Sequence, residues 1–338
     1  MWTSRGVLGV PGVKGIKEVA VRKWVCIALG IVLVASVAVW ADWEELGSLN
    51  VPRGNHSAVV VDGVLYVLGG EWDGNGSAPV EKYDAATDTW TEIGPGAPND
   101  AGANVGVYDG VIYVMGGVHI EEDLIYEGGG FMWNTRASAT PVWEPTPGGG
   151  PSMGHGDSPG PTMVGTKIYL LSGEDEDLDN EWPNYVTNVD IYDVVTGEWT
   201  VGASIDPHQR EDQGVGAIGC KILMMGGEFD DEPAKMLNIY DTQMNTWTHV
   251  EDVPIGWEKL RMVPIGDLMY ICTGDGAGGN ALWTLDLFTL EFTRVRVMLP
   301  LRLSEAALAV LDGKLVVMGG EEAQSEELVG NVFIYHAD

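Results

Sequence analysis

Apolar residues in this chain recur in runs of five that end in glycine. Six such runs align: VLYVLGG (64–70), VIYVMGG (111–117), KIYLLSG (167–173), KILMMGG (221–227), LMYICTG (268–274) and KLVVMGG (314–320). The runs are nearly continuous rather than alternating, which predicts strands buried on both faces. Another apolar strand precedes each one, as HSAVVVDG precedes VLYVLGG, with Asp62-Gly63 supplying a two-residue hairpin turn. A third strand, a tight turn and an aromatic-bearing fourth strand follow, in VEKYDAATDTW (80–90), VDIYDVVTGEW (189–199), LNIYDTQMNTW (237–247) and LWTLDLFTLEF (282–292). Tyr83, Tyr192, Tyr240 and Leu285 each stand seven residues before Trp90, Trp199, Trp247 or Phe292, a spacing that predicts hairpins of constant register. The second copy is looser, with FMWNTRASATPVW leading to Trp143.

One supersecondary unit of four short antiparallel strands is thus copied six times. Such a sheet buries both faces only between copies of itself, and a closed ring leaves no copy with an open face. The two ends of the chain bear on that closure. The sixth copy runs from about Leu303 and stops at VFIYHAD without its Trp strand, while the stretch Trp43 to Pro52 supplies the missing ending. The N-terminal strand is therefore expected to complete the last unit.

The glycine pair, the Tyr-Asp and the aromatic residue seven positions after the Tyr resemble the kelch repeat. The resemblance spans nearly all of residues 42–338 and implies an all-β fold, a six-bladed β-propeller closed by the N-terminal strand in the C-terminal blade. Ser172-Gly173 and Thr273-Gly274 depart from the glycine pair, Phe292 from the tryptophan, and the second copy from the spacing.

Residues 1–41 are of another kind. Arg5, Lys14, Lys17, Arg22 and Lys23 precede an uncharged apolar run from Trp24 to Trp40, the layout of a secretory signal peptide cleaved after Ala41, or of an uncleaved membrane anchor. An exported protein, periplasmic or extracellular, is expected, touching a membrane only through an uncleaved leader. The net charge of −32 becomes about −36 without the leader. That field repels phosphate backbones and argues against nucleic acid as a partner. Cys220 and Cys272 lie in apolar strand-like runs and read as buried small hydrophobes, with a disulfide between them as the alternative.

Candidate chemistry gathers on the face where, in a kelch propeller, the loops after the glycine pairs and the connections between blades emerge. Glu71, Glu174, Glu228, Asp275 and Glu321 directly follow the glycine positions, with Val118 in the second copy. Either they form a carboxylate ring that repels itself or recruits a cation, or they are acidic residues suited to polar loops. Arg53, His56, Arg210, Glu211, Lys259 and Arg302 precede the first strands, and Arg53 and Arg210 both stand 16 residues before a first glycine. They describe a mixed-charge pocket for a carboxylate or a polyhydroxylated ligand, or else arginines bridging adjacent blades. Asp175, Asp177 and Asp179 alternate as calcium ligands do, yet Asn180 and Val186 stand where an EF-hand needs glycine and glutamate. A solvated acidic loop fits better, and calcium is the one cofactor this pattern allows. Trp72 and Trp182 are candidates for stacking on sugar rings.

No nucleophile elbow, HExxH or phosphate loop is present. Kelch copper oxidases resembling galactose oxidase need a Cys–Tyr crosslink and grouped tyrosine and histidine ligands, which Cys220, Cys272 and the six histidines do not provide. A nearer enzymatic resemblance is to the exported six-bladed N-acetylneuraminate epimerase. It implies Glu228 as acid–base group and Arg210 as carboxylate grip, although the following arginine of that family is missing. The expected function is a monomeric binding module for an extracellular protein or glycan, with a periplasmic sugar mutarotase as the alternative.

Overall fold

In the computed structural model, the described residues are 42–336 except 75–76, 99–100, 122–123, 128, 152–154, 156–159, 174–184, 230–231, 273 and 276–278. They contain strands and no helix. Six sheets follow the repeats. Blade 1 runs Ser57–Val61, Val64–Leu68, Val80–Asp84 and Thr89–Gly94 in that spatial order. Blades 4 and 5 repeat it regularly from Gly214–Ile218 and Arg261–Ile265. The innermost strands touch in sequence around a centre, and that of blade 6 (Ala307–Leu311) packs on that of blade 1, so the ring is closed.

The second strands are buried along both faces, four of five residues in each of blades 1, 2, 3, 4 and 6. Their side chains form the cores between blades, as in the cluster of Leu65, Val67, Val316 and Met318 between blades 1 and 6. The seven-residue spacing becomes a cross-strand pair: Tyr83 lies opposite Trp90, Tyr192 opposite Trp199, Tyr240 opposite Trp247 and Leu285 opposite Phe292. The three Tyr–Trp pairs hold ring centroids 5.0 to 5.1 Å apart at 41° to 47°. Asp62 and Gly63 turn blade 1's first hairpin at φ 49° and 80°, the left-handed pair that a two-residue turn requires.

The N-terminal strand Trp43–Leu46 pairs antiparallel with Val332–Tyr335 and completes blade 6. Trp43 lies opposite Tyr335 with centroids 5.1 Å apart at 47°, so residues nearly 300 positions apart rebuild the pair other blades make locally. The following segment stitches blade 6 to blade 1: Trp90 Nε1 donates to the Gly47 carbonyl at 2.8 Å, and the Gly47 amide donates to Asp88 at 2.7 Å.

Two expectations need correction in detail. Blade 2 ends in a two-residue strand, Glu144–Pro145. Its sheet gains a fifth, parallel member, Gly160–Pro161, leaving blade 3 with only Met163–Val164 as its first strand. Cys220 is not a buried hydrophobe: it sits half-exposed in the turn before Lys221, where its carbonyl accepts from Thr242. Cys272 is fully buried, which pushes its thiol pKa up, and both cysteines are free.

Candidate functional site: the acidic mouth of the channel

The glycine pairs build this face. Both members adopt positive φ, 53° and 89° at Gly69-Gly70 and 64° and 80° at Gly226-Gly227. The second glycine's amide donates to the next blade: Gly320 to the Arg53 carbonyl, Gly117 to His155, Gly173 to Arg210, Gly227 to Trp257 and Gly274 to Leu303, at 2.8 to 3.2 Å. A Cβ on Gly227 would meet the Glu211 carbonyl oxygen at 2.3 Å, so the approach admits glycine alone. Ser172 tolerates φ 54° because its hydroxyl both donates to the Arg210 carbonyl and accepts from the Arg210 amide, each at 2.7 Å.

Two residues beyond these acceptors, the described connections turn left-handed. Asn55, Asp212, Lys259 and Glu305 have φ between 49° and 56°, and Gly102 holds the same place in blade 2 at 65°. These residues link backbone to backbone around the axis, Asn55 amide to Glu305 carbonyl, Gly102 to Asn55 and Lys259 to Asp212, at 2.7 to 3.0 Å. The side chains of Asp212, Lys259 and Glu305 gather at the mouth of the channel. Beside them, bridges between Gly54 and Glu71, Glu211 and Glu228, and Glu258 and Asp275, and the strand pair Ser304–Glu321, set the carboxylates that follow the glycine positions against the neighbouring connection.

The mouth is therefore acidic. Burial, with Glu228 and Asp275 nearby, raises the Glu258 carboxyl above its ordinary range, and Lys259 offsets only part of this. Burial and Glu305 do the same to Glu321. Burial opposes the charge of Lys259, yet Glu305, Asp212 and Asp275 hold its ammonium above the usual lysine range; it pairs with Glu305 at 2.6 Å. Glu71 is exposed, Glu228, Asp275 and Glu321 are half-buried, and Glu211 is buried. Among the described residues no group of three or more His, Cys, Asp or Glu is arranged to hold a metal ion. Glu174, Asp175, Asp177, Asp179 and Trp182 lie outside the described residues.

The arginines are elsewhere. Arg53 is fully buried: its guanidinium donates to the carbonyls of Gly69 and Pro79 at 2.9 and 2.7 Å and to Glu81 at 2.9 Å. Glu81 also accepts from the Asn50 amide and side chain, each at 2.8 Å. Arg210 is buried likewise and donates to the carbonyls of Gly226, His208, Met224 and Met236. In blade 3, His155 fills this place, bonding the Ser172 carbonyl at 2.7 Å and Asp190 at 3.2 Å. The shared 16-residue spacing thus brings each arginine onto the carbonyl of the first glycine, inside the blade. Neither grips a ligand at the mouth, because the donors are spent on backbone and solvent is excluded.

His56 also lies below the mouth, fully buried in the throat of the channel, where burial, Arg53 and Arg261 lower its pKa well below the ordinary value. Arg302 is half-buried beside the small sheet of Leu303–Ser304, Glu321–Glu322 and Glu327–Leu328. Trp72 folds back over its own loop, against Gly74. Lys259, Glu211, Glu228, Asp275 and Glu321 are the sequence candidates that the fold does bring to one place, together with Glu258 and Glu305. Glu81 and Asp190 escaped notice, although each stands two residues before its blade's tyrosine.

Comparison with known proteins agrees with this architecture. The family model described as "Kelch motif" matches residues 52–96. Kelch-like protein terF of Aspergillus terreus is 29% identical over 299 residues, covering 81% of this chain and 62% of that protein. Kelch-like protein 25 of Xenopus tropicalis is 22% identical over 227 residues, 63% of this chain and 35% of that protein. The chain spans between about a third and about three-fifths of the length of these curated relatives. Among solved structures, one described as "Structure of YjhT" superposes with a TM-score of 0.69 at 16% identity, covering 87% of this chain and 97% of that one.

Proposed function

The chain belongs to the kelch-repeat family, and from that premise we propose that it is an interaction module whose acidic mouth binds a lysine- or arginine-rich segment of a partner protein outside the cytoplasm. The observation that carries this reading is the crowding of Glu228, Glu258, Asp275, Glu305 and Glu321 around Lys259, with two of the carboxyls raised by burial and mutual repulsion. A cationic side chain entering the mouth relieves that repulsion, and the backbone rosette presents it on a rigid frame. An anionic sugar gains nothing comparable, since Arg53 and Arg210 are buried and turned away. The mutarotase alternative loses its carboxylate grip for the same reason, because Glu228 stands at the mouth while Arg210 does not. The placement outside the cytoplasm rests on the leader-like residues 1–41.

The test is titration calorimetry with a peptide of alternating lysine and alanine. Neutralising Glu258, Asp275 and Glu321 together as Gln, Asn and Gln should weaken binding by about tenfold or more. Neutralising Asp84, Asp193 and Glu198, on strand ends away from the mouth, removes the same charge and should change it less than about twofold. Equal losses in both triple variants would reduce the effect to net charge and sink the proposal.

A further inference from the structure

The channel beneath the mouth is a second feature, independent of the acidic rim. Its wall is aliphatic: Val60, Val107, Met163, Ala217, Val263 and Val310, one from each of the six blades, line a well of about 360 Å3. The first strands run from the mouth toward the hairpin turns, so residues late in them, such as Val60, Val107 and Val310, lie at the turn face. Toward the mouth a second, small pocket of about 20 Å3 shares Ala58, Val105, Pro161, Val263 and Leu308 with this well and is lined in addition by His56, Ser57 and Arg261.

These polar groups close an otherwise apolar well. Arg261 is buried to 5% exposure, donates to the Leu260 carbonyl at 3.1 Å and the Asn55 side-chain oxygen at 3.2 Å, and places a guanidinium at the throat. Neither nitrogen of the buried His56 ring has a hydrogen-bond partner of good geometry, the Met318 backbone offering a weak one at most. Since burial, together with Arg53 and Arg261, disfavours its protonation, the imidazole stays neutral and keeps one N–H to donate. Ligand sites combine this volume, an apolar wall and a few convergent polar groups. Water finds few partners along such a wall, which favours its displacement by an apolar body.

We propose that the channel is a binding site for a small molecule with an apolar body and one carboxylate head, entering from the turn face and seating its head against His56 and Arg261. A carboxylate suits the throat because it accepts from both a guanidinium and an imidazole N–H. The approach carries a distinctive signature. Of the acidic residues on turns around the entrance, Asp62 and Asp109 share Arg136 while Asp312 adds to a whole-chain charge of −32, so the long-range field of the molecule repels the ligand while the buried contact attracts it. Salt screens the first far more than the second.

Octanoate is the probe, measured by calorimetry and thermal shift on the full chain beside octan-1-ol and octylamine. Octanoate should bind one to one, about tenfold or more tighter than either analogue. Its affinity should increase between low and physiological salt. Ala217→Phe, which fills the well from its wall, should abolish binding while the melting transition stays cooperative, and Arg261→Met should bring octanoate down to the affinity of octan-1-ol. Since a buried arginine is risky to remove, Ala217→Phe decides the location on its own. No octanoate binding, unchanged binding in Ala217→Phe, or preference for octylamine would each overturn the proposal.

Discussion

Arg53 and Arg210 occupy one place in the repeat and meet different fates. Arg53 finds Glu81 two residues before Tyr83, whereas blade 4 carries Asn238 two residues before Tyr240, and Asn238 Oδ1 is buried without a hydrogen bond. Burial without a carboxylate pushes the Arg210 pKa down to about 9. A buried charge lacking its counter-charge is costly, and supplying one is the direct remedy. Asn238→Asp should therefore stabilise the fold by about 1 kcal/mol or more. His249, whose Nδ1 now meets Asn238 Nδ2 at 2.6 Å, can donate to the new carboxylate instead. Urea unfolding at pH 8 measures the change, and a lower midpoint would show that Arg210 is already compensated. The 16-residue spacing was legible before folding, but its purpose was not: a guanidinium at a blade entrance reads equally as a ligand grip until its acceptors are seen to be carbonyls of its own blade.

At the scale of the element, the seams between blades are unequal. Trp90, Trp143, Trp199 and Trp247 each donate an indole N–H to a carbonyl of the preceding blade, on Gly47, Pro95, Gly149 and Ala203. Phe292 has no N–H to donate, and Trp43 Nε1 is buried without an acceptor, so both seams of blade 5 lack this bond. The seam crossed by the chain termini, by contrast, is reinforced by Gly47, Leu49 and Asn50. Deleting residues 42–52 removes the outer strand of blade 6 together with those bonds, and should lower the melting temperature sharply. Trp43→Ala alone should cost about 3–5 kcal/mol, the price of truncating a buried tryptophan. Differential scanning calorimetry reads both, and a deletion variant melting with the parent would refute closure by the N-terminal strand. The strand's role was readable from its Trp-to-Pro ending. The short outer strand of blade 2 and the parallel Gly160–Pro161 were not, because they follow from how a long insertion packs and carry no periodic signal.

For the whole molecule, charge and burial act together as the pH changes. The folded-state pKa of His56 lies below its unfolded value of 6.5, so below about 6.5 the unfolded chain binds a proton that the folded chain refuses. Stability is then lost as pH falls. Glu258 and Glu321 act with the opposite sign: their raised folded pKa values make the folded chain take up protons first as pH falls toward the carboxylate range, which returns some stability there. The melting temperature should accordingly decline from pH 7 to pH 5.5, and the decline should flatten in His56→Gln. An identical slope in that variant would remove His56 as its cause.

Six copies, the hairpin register and the partnership of the two chain ends were determined by the sequence alone, because each is a local spacing repeated until chance is excluded. Which residues face a ligand was decided only by the tertiary structure. Arg53, Arg210, Glu228 and Glu258 are all charged residues near blade entrances, and nothing in their spacing says which side chain turns inward. That choice depends on acceptors from other strands: the glycine carbonyls and Glu81 draw the arginines into the blades, whereas Glu258 and Glu321 face other carboxylates and Lys259. The channel is likewise a property of the ring, since its wall takes one to three residues from each of six distant strands and exists only once all six have closed.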